Sequence, residues 1–168
     1  MAMIRLLFLD VDGVLTDGTL PYESHGNTEK PFFVQDGGAI RMWQRAGGQA
    51  AIVSGRTSPA VIARAKDLGI THLHLAVSDK VPAFESVCGE LGVAESDAAF
   101  MGDDLLDLPA MRRCGYPIAP ANAVSHVKRA ARYVTRRSGG HGAVQEAIER
   151  LLRHNGWWHD AMIGRLES

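Results

Sequence analysis

The sequence is poor in the features that would set it apart from ordinary soluble proteins. It has two cysteines, Cys88 and Cys114, in 168 residues and no CxxC pair. Neither a disulfide framework nor a thiolate zinc site is expected, and both read as buried thiols of a reducing compartment. Charge of neither sign prevails: 18 Lys and Arg face 19 Asp and Glu, a net charge of −1. That balance gives no footing for a nucleic-acid or membrane partner. No stretch approaches the roughly 20 apolar residues of a membrane span. The apolar start, Met1 to Leu9, stops at Asp10 and Asp12 before a full signal-peptide core or a small-residue cleavage site, so a cytoplasmic location is expected. Repeats, low-complexity tracts and interdomain linkers are missing too. The histidines show no metal spacing beyond His72-x-His74, for which structural or surface roles are expected.

What is present is an alternation. Hydrophobic residues make up 46% of the chain and charged residues 22%, ordinary for a globular protein. The length suits one domain over 1–168 that buries roughly 70% of its unfolded surface. Apolar runs at 4–9, 50–53, 73–75, 98–101, 116–119 and 133–135 read as strands. Between them lie helical patterns. Ser58-Pro59 reads as an N-cap with proline at the first helical position, and Gly69 as the stop. Val81, Phe84, Val87, Cys88 and Leu91 recur at helical spacing before Gly92, and a last helix is expected over about 143–153. The alternation predicts a Rossmann-like α/β domain, doubly wound, with a mostly parallel sheet and helices on both faces. The Gly-, Pro- and Asn-bearing segment at about 18–35 breaks the pattern and reads as a β-hairpin. The tail, about 154–168, has no clear periodicity.

In such a sheet, ligands collect at the carboxyl ends of the strands. Asp10-Val-Asp12-Gly13 follows the first strand, Ser54-Gly-Arg56 the second, Asp79-Lys80 the third, and Gly102-Asp103-Asp104 with Asp107 the fourth. Alternate residues of an extended strand share a face, so Asp10 and Asp12 can point together while Gly13 permits a sharp turn. Adding Asp103 makes three carboxylates in one crevice, which repel unless a cation joins them. Oxygen-only ligands alongside a phosphate suit Mg2+. Lys80 and the Ser54 hydroxyl supply charge and a donor for a phosphoryl group, and a carboxylate is a competent nucleophile towards phosphorus. Each motif alone has a plainer reading: a solvated strand end, a turn, a helix cap. Lys80, however, sits unfavourably near a helix start, which favours a functional role. Gly139-Gly-His-Gly142 lacks the Lys-Ser/Thr of a P-loop and reads as a loop.

DxDGV, SGR, DK and GDDxxDLP, in this order, resemble the four motifs of the haloacid dehalogenase superfamily. The run from Asp10-Val-Asp-Gly-Val-Leu-Thr-Asp-Gly18 to Gly139-Gly-His-Gly-Ala143 more closely resembles its capless 3-deoxy-D-manno-octulosonate 8-phosphate phosphatases. That resemblance implies a Mg2+-dependent phosphatase acting on a phosphorylated sugar acid for lipopolysaccharide synthesis through an aspartyl phosphate. It implies Asp10 as nucleophile and metal ligand. Asp12 becomes general acid and base, with its backbone carbonyl on the metal, and Asp103 completes the protein ligands. Ser54 and Lys80 hold phosphoryl oxygens. Substrate contacts are implied for Phe33, Val34, Gln35, Asp36 and Gly37, and for Arg41, Arg56 and Arg64; arginine pairs bidentately with carboxylate and phosphate. Two departures stand out: Gln145 where the family often has arginine, and Ala76-Val-Ser78 where relatives usually carry a glycine.

The motifs do not separate this substrate from another nine-carbon, sialic-type acid phosphate. Two other classes compete: a phosphoaspartate receiver domain and a non-catalytic domain of the same fold. Receivers phosphorylate an aspartate after a central strand, and Asp12 as a general acid speaks for ester hydrolysis. The spacings Asp17 to Asp36 and Arg56 to Asp79 leave no room for a cap domain. An isolated subunit would leave a phosphoryl site open to water, and the resemblance implies a homotetramer in which neighbours complete each site.

Overall fold

Six short segments pair side by side in the order β3-β2-β1-β4-β5-β6. They are β1 (Leu6–Leu9), β2 (Gln49–Val53), β3 (His72–His74), β4 (Ala98–Met101), β5 (Tyr116–Ala119) and β6 (Tyr133–Val134). All five pairings are parallel. The structure, a computed structural model, describes residues 3–21 and 30–166, with side chains as far as Ile163. Each expected strand is present within a residue or two of its expected ends.

The four central strands, β2-β1-β4-β5, are largely buried on both faces, which is why they read as continuous apolar runs rather than alternating ones, whereas β3 and β6 at the edges are part-exposed. Leu7, Leu9, Ile52, Met101 and Ile118 face one layer, made by α1 (Val34–Arg45), α2 (Pro59–Asp67) and α6 (Ala143–His154). Leu6, Phe8, Val53 and Phe100 face the other, made by α3 (Lys80–Leu91), α4 (Leu108–Met111) and α5 (Ser125–Ala130). Phe8 is the hub of that second layer, with its ring 4.8 Å from Phe84 and 5.8 Å from Phe100. Burying one such ring contributes about 1.5–3 kcal/mol. No helix among the described residues is long and apolar enough to cross a membrane.

Helix ends follow the expected signals. Pro59 opens α2 and Gly69 follows its end with φ of 67°; Gly92 caps α3 in the left-handed conformation. Both cysteines are free and buried, and burial pushes their thiols up to about 11 for Cys88 and about 12 for Cys114.

Two segments differ from expectation. The centre of the expected hairpin, 22–29, lies outside the described residues; its described ends, 18–21 and 30–33, carry no strand, and Val34 and Gln35 already form the first turn of α1. The tail is helical: α7 (Trp158–Leu166) follows a turn at Gly156. Its docking is aromatic. Trp157 lies 5.6 Å from Trp43 of α1, and the Arg153 guanidinium stacks on Trp158 at 4.2 Å. Trp43 in turn packs where Gly48 carries no side chain, since a Cβ there would fall 2.1 Å from the indole.

Candidate active site

The register brings the motif residues to one edge. Leu9 pairs with both Ile52 and Met101, so β1 and β4 end level with β2 one residue longer, and Asp10, Ser54 and Gly102-Asp103 leave the sheet at one edge. Asp10 Oδ1 accepts the N–H of Val11 at 2.7 Å and faces Lys80 Nζ at 2.9 Å. The chain then coils tightly through Val11–Leu15, where Asp12 is extended and Gly13 has φ of 85°. Glycine is required there twice over, by that φ and because a Cβ would fall 2.1 Å from Asp103 Oδ2. A cavity of about 260 Å³ opens on this edge, lined among others by Asp10, Asp12, Ser54, Arg56, Lys80 and Asp103.

Lys80, the first residue of α3, turns inward and is 4% exposed. Its ammonium joins Asp10 to Asp107, whose Oδ1 lies 2.6 Å away. The opposite oxygen of Asp107 accepts the N–H groups of Asp103 at 2.9 Å and Asp104 at 3.0 Å. Asp107 is fully buried, and Gly102 is needed beside it because a Cβ there would sit 2.4 Å from the Asp107 side chain. Asp104 caps the turn Leu105–Asp107 in a reciprocal box with Asp107. The Asp107 carboxylate therefore both neutralises Lys80 and fixes the loop that carries Asp103.

The electrostatics are unbalanced. Ligand atoms of Asp10, Asp103 and Asp107 lie within 4.8 Å of one another, against one lysine. Burial, then the charge of Asp107, pushes the Asp10 carboxyl up to about 6 despite Lys80. Burial, then Asp10 and Asp107, pushes Asp103 up to about 7. Burial opposes the charge of Lys80, but Asp10 and Asp107 outweigh it and its pKa is raised. Asp103 Oδ1 is buried without a hydrogen-bond partner. A raised carboxylate pair with an orphaned oxygen is what a hard divalent cation would satisfy, so the donor set fits Mg2+.

The structure divides the residues singled out from the sequence. Asp10, Asp12, Ser54, Arg56, Lys80 and Asp103 share the cavity. The carboxylate cluster contains Asp107 besides Asp10 and Asp103, and Asp12, expected to reach a metal through its backbone carbonyl, lends it no carboxylate. The Asp12 side chain instead pairs with Lys30 on one oxygen and with Arg56 Nε at 3.7 Å on the other. Ser54 Oγ accepts the N–H of Arg56 at 3.3 Å. Sequence reasoning gave Asp107 a minor place and missed Lys30, which belongs to no motif.

The remaining substrate candidates lie elsewhere. Arg41 and Arg64 both pair with Asp67, at 3.1 Å and 3.0 Å, and the Arg64 guanidinium lies over the Phe32 ring at 5.7 Å. Gly37 is needed where Arg64 passes, since a Cβ would fall 2.2 Å from its Nη2. Asp36 is buried and accepts the N–H of Gln145 at 2.8 Å, capping α6; burial raises its pKa. Val34 and Gln35 line a second hollow of about 420 Å³ with Met42 and Gln145. Phe33 lies half-buried, 6.5 Å from the His141 ring. At Gln145, where the resemblance favoured arginine, a guanidinium arrives from Arg137, whose Nη1 donates to Gln145 Oε1 at 2.7 Å.

Comparison with known proteins agrees with this architecture. Residues 73–148 match the family of haloacid dehalogenase-like hydrolases. The chain is 42% identical, over 91% of its length and 81% of the other's, to the 3-deoxy-D-manno-octulosonate 8-phosphate phosphatase KdsC of Escherichia coli strain K12. Among solved structures it is similar to that of the 3-deoxy-D-manno-octulosonate 8-phosphate phosphatase from Moraxella catarrhalis in complex with magnesium ion, phosphate ion and KDO. That likeness has 38% identity and a TM-score of 0.92, over 98% of this chain and 94% of that one. The cobalt-bound phosphatase from Haemophilus influenzae gives 40% identity and a TM-score of 0.90, over 93% and 91%. The motif order, the parallel sheet that levels those motifs, and identity of this extent along the chain have one reading: the chain belongs to the 3-deoxy-D-manno-octulosonate 8-phosphate phosphatase family of the haloacid dehalogenase-like hydrolases.

Proposed function

We propose that this protein hydrolyses 3-deoxy-D-manno-octulosonate 8-phosphate to the free sugar acid and phosphate, in the cytoplasm, for lipopolysaccharide precursor synthesis. The observation that carries the chemistry is the cavity in which Asp10, held by Lys80, shares its walls with Asp12, Ser54 and Asp103. The Asp10 carboxylate attacks phosphorus as the ester P–O bond breaks, and Asp12 gives a proton to the departing sugar oxygen. Water then attacks the aspartyl phosphate, Asp12 takes the proton, and the bond from phosphorus to Asp10 breaks. Lys80 and Ser54 hold phosphoryl oxygens, and Arg56 meets the substrate at the rim. Asp10, Asp103 and the Asp12 carbonyl would hold magnesium, which when bound would supply the positive charge that offsets the repulsion between carboxylate and phosphate.

Asp107 works from behind. It fixes the position of Lys80 and, through the two N–H groups it accepts, the carboxylate of Asp103.

The second group of candidates supports a homotetramer reading. Phe33, Val34 and Gln35, with the arginines at 41 and 64, stand apart from the cavity of their own chain, and Val34 is 77% exposed. They serve substrate in a neighbour's site. Phosphate release across octulosonate, nonulosonate and hexose phosphates tests the substrate, and light scattering tests the assembly. Equal turnover of hexose phosphates would remove the sugar-acid assignment; faster nonulosonate turnover would replace it with the sialic-type reading.

A further inference from the structure

Lys30 lies outside all four motifs, yet its side chain is 3% exposed. Lysine is almost never buried that far unless paired, because an ammonium loses several kcal/mol of hydration on leaving water. Here the ammonium meets Asp12 Oδ1. Two further observations say what the contact does. Asp12 and Arg56 both line the cavity while Lys30 is not among the lining residues. The second oxygen of Asp12 is the one facing Arg56 Nε, at 3.7 Å. Lys30 thus meets the carboxylate without lining the cavity, and the oxygen it leaves faces a residue that does.

We propose that Lys30 is the positioning residue of Asp12: it grips Oδ1 and presents Oδ2 to the oxygen of the departing group. The contact does not involve phosphate or sugar. It limits rotation of a short side chain that the backbone alone leaves free about χ1 and χ2, and misplacement of a proton donor by about 1 Å is enough to lose much of its effect. The proton moves from Asp12 to the leaving oxygen as the bond from that oxygen to phosphorus breaks and the bond to Asp10 forms. A lysine in this role matters in proportion to how badly the leaving group needs that proton. The inference rests on Asp12 being the general acid, so the experiment includes that residue.

The intact magnesium-loaded protein is assayed with a series of substituted phenyl phosphates, and log kcat/KM is plotted against leaving-group pKa. This ratio ends at the first irreversible step, so later hydrolysis of the aspartyl phosphate does not enter it. In Asp12→Asn the slope is expected to steepen. Lys30→Met should steepen it in the same sense, with phenyl phosphate losing about tenfold more than p-nitrophenyl phosphate, a part of the roughly 10²–10⁴-fold that a general acid contributes. Lys30→Arg, which keeps a buried cation, should hold the original slope. If Lys30→Met fails to fold, as judged by near-ultraviolet circular dichroism, Lys30→Gln is read by the same criterion. A steeper slope in Asp12→Asn with an unchanged slope in the Lys30 variant overturns the inference alone. That holds whether the loss is uniform, as for a phosphoryl ligand, or confined to the sugar acid, as for a substrate ligand. An unchanged slope in Asp12→Asn overturns the reading of Asp12, and the inference with it.

Discussion

Asp103 offers a test that needs no substrate. In the metal-free protein its carboxyl is pushed up to about 7 from an ordinary 3.8, by burial and then by Asp10 and Asp107. A carboxyl raised in the folded state holds a proton that the unfolded chain has released. Folding is then penalised as pH rises above about 4, and the penalty is complete above about 7. That gap of about 3 pH units corresponds to about 4 kcal/mol at 1.36 kcal/mol per unit, and solvent screening at a part-exposed group halves it to about 2 kcal/mol. Asp103→Asn removes the charge and keeps the shape. With magnesium chelated, the variant and wild type should unfold together near pH 4. By pH 7.5 the variant should unfold about 4–8 °C higher, at 2–4 °C per kcal/mol for a chain of this size. Adding magnesium should reverse the order, because wild type gains the stabilisation of a bound ligand and the variant has lost a donor. Scanning calorimetry in chelator at the two pH values measures the difference. Coincident transitions at pH 7.5 would refute the picture of a carboxylate cluster waiting for a cation.

Other perturbations reach different parts of the site. Asp10→Asn should abolish turnover and with it magnesium-dependent trapping by a metallofluoride, followed by fluorine NMR; an active variant sinks the nucleophile. Lys80→Ala should lower kcat by about a hundredfold or more, the usual scale for one preorganised charge, and wild-type kinetics would make Lys80 a structural residue only. Asn122 donates to the Gly13 carbonyl at 2.9 Å and accepts the N–H of Gly139 at 2.7 Å, tying the turn after Asp10 to the glycine loop. Asn122→Ala should lower stability in urea by about 1–2 kcal/mol, and an unshifted midpoint argues that water replaces it without loss.

The sheet was legible because its signal is local and redundant. The central strands are short apolar runs, and burial of both faces made the runs continuous. Glycine and proline marked the ends of α2 and α3 where their backbone geometry demands them. Helix α1 escaped because its first turn, Val34-Gln-Asp-Gly-Gly, carries two glycines that weaken a helical pattern, and Phe32-Phe33-Val34 carries strand formers. What holds it is tertiary: Ile40 and Trp43 are fully buried, and Asp36 ties it to the start of α6. Helix α7 escaped similarly, since its order comes from Trp157 and Trp158 docking on Trp43 and Arg153 rather than from a stripe of its own.

The same division runs through the site. Asp10, Asp12, Ser54, Lys80 and Asp103 were legible because each follows a strand, and a parallel sheet delivers strand ends to one edge whatever the helices do. What the motifs conceal is which charge each residue answers. Asp107 looks like a cap because it is one, but it is also the partner that balances the burial cost of Lys80 and fixes the N–H of Asp103. Lys30 carries no motif, and its connection to Asp12 spans 18 residues of chain, part of it outside the described structure. Its presence follows from charge rather than pattern. Four carboxylates crowd one edge, and one inward lysine leaves an excess of negative charge. The structure answers that excess from two directions, with a metal-fitting donor pair at Asp10 and Asp103 and with a second buried ammonium on Asp12. Keeping the two separate has a chemical consequence. The ion pair with Lys30 keeps the Asp12 side chain out of the cluster that the other three form, and so leaves it to the proton transfer proposed for it.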